Sequence, residues 1–215
     1  MTRLRSEQGF TLIELVIVMP MLLIMLGGLT VVFIQFTQSN NRTEEAATLQ
    51  TEARAALDTL ETDIREAFVG DGTDPVISAS ATSITFESPD RYPTTVAGST
   101  ESSFHLRKIT YTLSGGVLER QFMTSTNTFP TGPPWTWPGS NGPLASIVGS
   151  ITNADVFTYY TASGAQASPP TPLTFPIADT TGIRSVRIKL TLSTTGAQPK
   201  VFTFNELVSL RETDS

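Results

Sequence analysis

Few side chains in this 215-residue chain are placed to do chemistry, and the most conspicuous is an acid in apolar surroundings. Glu14 is the single ionisable residue in the run from Phe10 to Phe36, FTLIELVIVMPMLLIMLGGLTVVFIQF. A carboxylate costs roughly 2.5–3.5 kcal/mol at a bilayer centre on insertion scales, and less near the interface. A plain anchor gains nothing from that cost, so the acid asks for a cationic partner. The residues before it supply a candidate. Met1 to Gly9 is short and polar, carries Arg3 and Arg5, and ends on a small residue. A cut between Gly9 and Phe10 would leave Phe10 with a free α-amino group, a positive charge one helical turn from Glu14. The chemistry this spacing can do is charge pairing.

Other constellations are thinner. His105 is the sole histidine, lies in a strand-like run and has no G-x-S-x-G elbow to serve, so it reads as a strand side chain. Asp71-Gly72-Thr73-Asp74 brings two carboxylates together, but calcium takes about six to eight oxygen ligands and the spacing lacks an EF-type loop. It reads as a solvated turn, so no metal or cofactor is expected. Arg184, Arg187 and Lys189 could form a basic patch, with Arg107 and Lys108 on another strand. Without interleaved aromatics, and with a net charge of −6, nucleic acid is not an expected partner. Trp135 and Trp137 sit on a Pro-rich stretch, where exposed aromatics can mark a contact site or fold back onto the domain. The chain has no cysteine, which removes disulfide and thiol chemistry. No catalytic set emerges, and an enzyme is not expected.

The elements that must position Glu14 follow from periodicity. About 20 apolar residues span a bilayer as a helix, so residues 10–36 suffice. Pro20 and Gly27-Gly28 are weak points of that helix, tolerated in lipid where neighbours satisfy the freed groups. After a polar break at residues 38–41, an apolar stripe recurs at Ala46, Leu49, Ala53, Leu57, Leu60, Ile64 and Ala67. Leu49, Leu57, Leu60 and Ile64 are expected to pack on a folded domain. Acidic residues, Glu61 and Asp63 among them, fill the other faces. One helix is expected from Phe10 to about Val69, with Gly70 as its cap.

From Asp71 the period becomes two. Strands are expected at residues 82–87, 104–113, 117–122, 156–161, 184–193 and 201–210, with Ser114-Gly115-Gly116 as a hairpin turn. Thr124 to Pro143 is expected to be a long surface loop. The fold class is α+β: a long N-terminal helix whose amphipathic half covers an antiparallel sheet. The organisation is a leader at 1–9, a transmembrane or filament-core helix at 10–36, an amphipathic helix at 37–70 and a β-rich head at 71–215.

The leader and Gly9-Phe10-Thr11-Leu12-Ile13-Glu14 together resemble the type IV pilin superfamily. The resemblance implies cleavage after Gly9 by a prepilin peptidase and N-methylation of Phe10. It also implies a Glu14 that meets the Phe10 amine of a neighbouring pilin or pseudopilin subunit on an inner-membrane assembly platform. The segment from Pro20 to Gly28 would extend on entry into a filament. Leu57-x-x-Leu60-Glu61-x-Asp63-Ile64-Arg65, Ile109-x-Tyr111-x-Leu113 and Val186-x-Ile188-x-Leu190 are similar to minor pilins and pseudopilins of the PilW/PulJ type. The implied protein is a minor subunit of a type IV pilus or type II secretion pseudopilus. It would cross the cytoplasmic membrane once, with its head outside the cytoplasm, before entering the filament. A tip adhesin or DNA-uptake receptor on the same scaffold, using the 124–143 loop, is the alternative.

Overall fold

A run that is apolar all round and then apolar on one face should be helical throughout, and it is. The computed structural model describes residues 11–68, 75–90, 105–128, 134–161, 171–195 and 198–210. Its helix α1 covers Leu12–Arg65, and the chain divides into two compact units, Met1–Ala46 and Ala47–Ser215. In the first unit Pro20 lies inside α1 without ending it. Proline has no N–H to donate to the carbonyl four residues earlier, that of Val16. Thr30 gives its hydroxyl to the Leu26 carbonyl at 2.8 Å, so its polar group is satisfied within the helix.

In the second unit the helical stripe is buried as its spacing requires. Ala53, Leu60 and Ile64 are fully inaccessible, and Leu49, Ala56 and Leu57 are buried beside them. The helix ends at Arg65, short of the expected Val69. The Ala67 amide turns to Ile64 and the Phe68 amide donates to the Glu87 carbonyl at 2.8 Å, so a strand captures the backbone. Gly70, the expected cap, lies outside the described residues.

Among the described residues, eight strands follow in two antiparallel sheets, where the sequence suggested one. The larger has the order β1 (Val76–Ala79), β2 (Ser83–Pro89), β3 (His105–Ser114), β4 (Val117–Thr128), β5 (Ala145–Val148). The smaller has β6 (Phe157–Tyr160), β7 (Ser185–Ser193) and β8 (Val201–Ser209). The β3–β4 hairpin turns on Gly115 and Gly116, with φ of +56° and +78°. A two-residue turn of that hand needs positive φ at both positions, which glycine adopts without strain. Ile151 links the sheets, its amide donating to Gly116 while it bridges to Leu192 of β7.

One buried cluster joins the helical stripe to Ile84, Phe86, Ile109 and Leu118 of the larger sheet and to β7. Val186, Ile188, Leu190 and Leu192 of β7 are all fully buried, as the alternation predicts. β4 departs from expectation by continuing to Thr128, into the stretch read as loop. It has no proline to stop it, and its outer edge is occupied. The Thr126 amide donates to the Thr136 carbonyl at 2.8 Å, and the Gly142 amide to the Phe122 carbonyl at 3.1 Å. Gly142 comes so close that a Cβ would sit 2.2 Å from that carbonyl, which only glycine permits. The Pro/Trp segment is thus a strap along β4.

Candidate functional site

Glu14 sits in the first turn of α1, where its amide and that of Leu15 reach back to the Thr11 carbonyl at 3.1 and 3.3 Å. The unsatisfied N–H groups of a helix start carry partial positive charge, so an acid is favoured there, though weakly in water. Glu14 is exposed and its surroundings are apolar. Leu12, Ile13, Leu22, Leu23, Ile24 and Phe33 are each more than half exposed. Apolar surface on this scale calls for lipid or other helices to cover it. The helix is long and apolar enough to cross a membrane. A Cβ at Gly27 or Gly28 would meet nothing within 4 Å, so packing within the chain does not require either glycine. Gly9 and Phe10, the expected processing and methylation site, lie outside the described residues.

Residues 4–30 match the family model of the prokaryotic N-terminal methylation motif. The match supports a type IV pilin-like precursor, and it covers the leader from Leu4 onward, the residues around Glu14 and most of the apolar run. Such a motif implies assembly with other pilin subunits and processing by a prepilin peptidase in general. With the apolar helix, it is consistent with membrane anchoring. The motif is that of structural subunits, not of enzymes. No curated protein matches the chain.

The head holds a polar cluster that the sequence reading missed. Asp63, placed there on an outer face, is mostly buried, with its side chain 16% exposed. Its carboxylate accepts from the Tyr111 hydroxyl at 2.6 Å and from Arg120 Nε at 2.8 Å. Arg120 Nε lies 3.1 Å from the same hydroxyl. Tyr111 and Arg120 are cross-strand partners in the β3–β4 register, which sets both against the helix tail. Burial, reinforced by the Asp63 charge, pushes the Tyr111 pKa well above the ordinary tyrosine value. Burial works to lower the Arg120 pKa, but Tyr111 and Asp63 outweigh it and hold the guanidinium more firmly protonated than usual. The three groups clamp helix to sheet.

The remaining candidates dissolve into structural contacts. His105 Nδ1 pairs with the Ser125 carbonyl at 2.8 Å, as a strand side chain would. Arg107 is bound to Asp90 at 2.7 Å and lies over Phe122. Lys108 Nζ lies 4.5 Å from the centre of the Trp137 ring, so that tryptophan folds back onto the head. Arg187 covers Tyr160 on the other sheet, so the basic residues form no single patch. Asp71 and Asp74 lie outside the described residues. Among those described, no group of three or more histidines and carboxylates could hold a metal ion.

Proposed function

We propose that this chain is a minor structural subunit of a type IV pilus or type II secretion pseudopilus. It is made as a prepilin, cut after Gly9, N-methylated on Phe10 and assembled through Glu14. The leader at 1–9 stays in the cytoplasm, residues 10–36 cross the inner membrane once, and the rest of the helix carries the head outside. It is not an enzyme; its partners are other subunits, the peptidase and the assembly platform. The observation that carries this is one carboxylate at the start of an exposed apolar helix, inside the segment that matches the methylation motif.

The mechanism follows from solvation. In the membrane the carboxylate can stay near the interface at modest cost. In a filament core, neighbouring helices exclude water and the charge becomes expensive unless paired. The Phe10 ammonium of an adjacent subunit supplies the pairing and sets axial register, because a slip of one turn, about 5.4 Å, loses the contact. Stranding one member of a buried pair costs roughly 3–5 kcal/mol. Glu14→Ala is therefore expected to be cleaved and inserted normally yet to enter sheared filaments poorly, with Glu14→Gln in between. Intact mass from the native host should show a chain starting at N-methylated Phe10. Normal incorporation of Glu14→Ala at equal expression, or a mature chain still starting at Met1, would overturn the reading.

A further inference from the structure

The sheets expose strand edges of very different length. β1, β5 and β6 are each 4 residues long, and β6 is further covered by the Tyr160–Pro172 bridge. β4 is 12 residues long, and its outer edge is closed by β5 and the Pro/Trp strap. Short or covered edges are how proteins avoid unwanted strand pairing. β8 is the exception. It is 9 residues long, has no proline, and pairs with β7 in unbroken register from Val201 to Ser209.

The ladder shows which backbone groups β8 leaves open. The Lys189 amide donates to Val156, the Thr191 amide to Asn153 and the Ser193 amide to Ser150, all away from β8. In an antiparallel ladder, alternate residues bond to opposite sides. The even-numbered residues of β7 therefore bond β8, through Phe202, Phe204, Glu206 and Val208. Val201, Thr203, Asn205 and Leu207 point their N–H and C=O outward, and no described residue meets them. A cleft of about 290 Å³ is lined by Arg187, Asn205, Glu206 and Leu207. Neighbouring residues on a strand face opposite ways, so this lining puts the cleft at the edge itself.

Charge selects the occupant. Arg187 and Lys189 stand beside Leu207 and Asn205 on the outer face, and among the described residues neither has a carboxylate partner. Glu206, on the other face, is a charge at an edge that rejects indiscriminate apolar strands. We propose that the β8 edge is a docking site for an extended segment of another protein, added as a further strand. Its alternate side chains are acidic on the Arg187–Lys189 face and polar or basic against Glu206. Backbone bonds supply affinity in such additions, and alternate side chains supply specificity.

The test uses the full chain in detergent micelles and two capped, fluorescent peptides as long as β8. One alternates glutamate with threonine and the other lysine with threonine. The glutamate peptide is expected to bind at least about tenfold more tightly, and Arg187→Glu with Lys189→Glu should reverse that order. Thr203→Pro removes an outward N–H and leaves the β7 ladder intact, so it should abolish binding without lowering the melting temperature. If that variant misfolds, Asn205→Glu with Leu207→Glu sets acids against the glutamate peptide on the same face and should abolish its binding. Equal binding of the two peptides, or binding insensitive to both edge variants, would overturn the proposal. So would a concentration-dependent dimer abolished by Thr203→Pro, which would assign the edge to a second copy. Glu14→Ala should leave peptide binding unchanged, so this inference and the assembly reading fail separately.

Discussion

Removing Asp63 tests whether the helix tail is held to the head by a polar clamp or by apolar packing alone. Asp63→Ala leaves Arg120 charged with its side chain 18% exposed, and leaves the hydroxyl of fully buried Tyr111 without its acceptor. Breaking a fully buried pair costs roughly 3–5 kcal/mol. Exposure of nearly a fifth lets water reach the guanidinium, so about 2–4 kcal/mol is expected here. Tyr111→Phe removes the hydrogen bond donated to Asp63, nominally about 1.5–3 kcal/mol, and the longer one accepted from Arg120 Nε, which keeps its bond to Asp63. Arg120 still neutralises Asp63 in that variant, so its loss should lie near the lower end. The double variant is the informative one. Once Asp63 is gone, the orphaned hydroxyl is a liability that Tyr111→Phe deletes, so the double loss should fall short of the two single losses combined by about 1–2 kcal/mol. Urea denaturation of the full chain in micelles, followed by tryptophan fluorescence and extrapolated linearly, measures all three. Additivity within about 0.5 kcal/mol would refute the clamp. So would an Asp63→Ala loss below about 0.5 kcal/mol, which is the behaviour of an ordinary surface acid.

Alkali supplies an independent probe. Burial raises the Tyr111 and Tyr159 pKa values above the unfolded value near 10, so above about pH 10 the unfolded chain binds fewer protons. The stabilisation is whole below that pH and is lost as pH rises toward the folded values, by about 1.4 kcal/mol per pH unit for each tyrosine. Denaturation midpoints measured across pH 9–12 should show the decline, and Tyr111→Phe with Tyr159→Phe should flatten it; an unchanged slope would refute the assignment. A chain beginning near Asn40 should be soluble and carry the helix tail on its sheets. In it, Leu57→Glu places an unpaired charge among buried residues and should cost several kcal/mol, at least about 3. An unshifted melting temperature would show that the stripe does not hold the head.

What the sequence alone determined was whatever depends on neighbours a few residues apart. The apolar run and its lone Glu14, the stripe through Leu49, Leu57, Leu60 and Ile64, the inward residues of β7 and the Gly115-Gly116 turn are all local patterns. Helical and strand periods express them directly, and each lies where its pattern put it among the described residues. The tertiary structure decided what depends on distant register. Asp63 looked like one more surface acid until Tyr111, 48 positions away, and Arg120, 57 positions away, came to meet it. Thr124–Thr128 became strand because the segment from Pro134 to Gly142 could lie along it, and the strands divided into two sheets where Ile151 crosses between them. The open edge of β8 belongs to the same class. A strand's alternation says which residues face inward, but only the folded arrangement of other strands determines which of its sides remains unpaired.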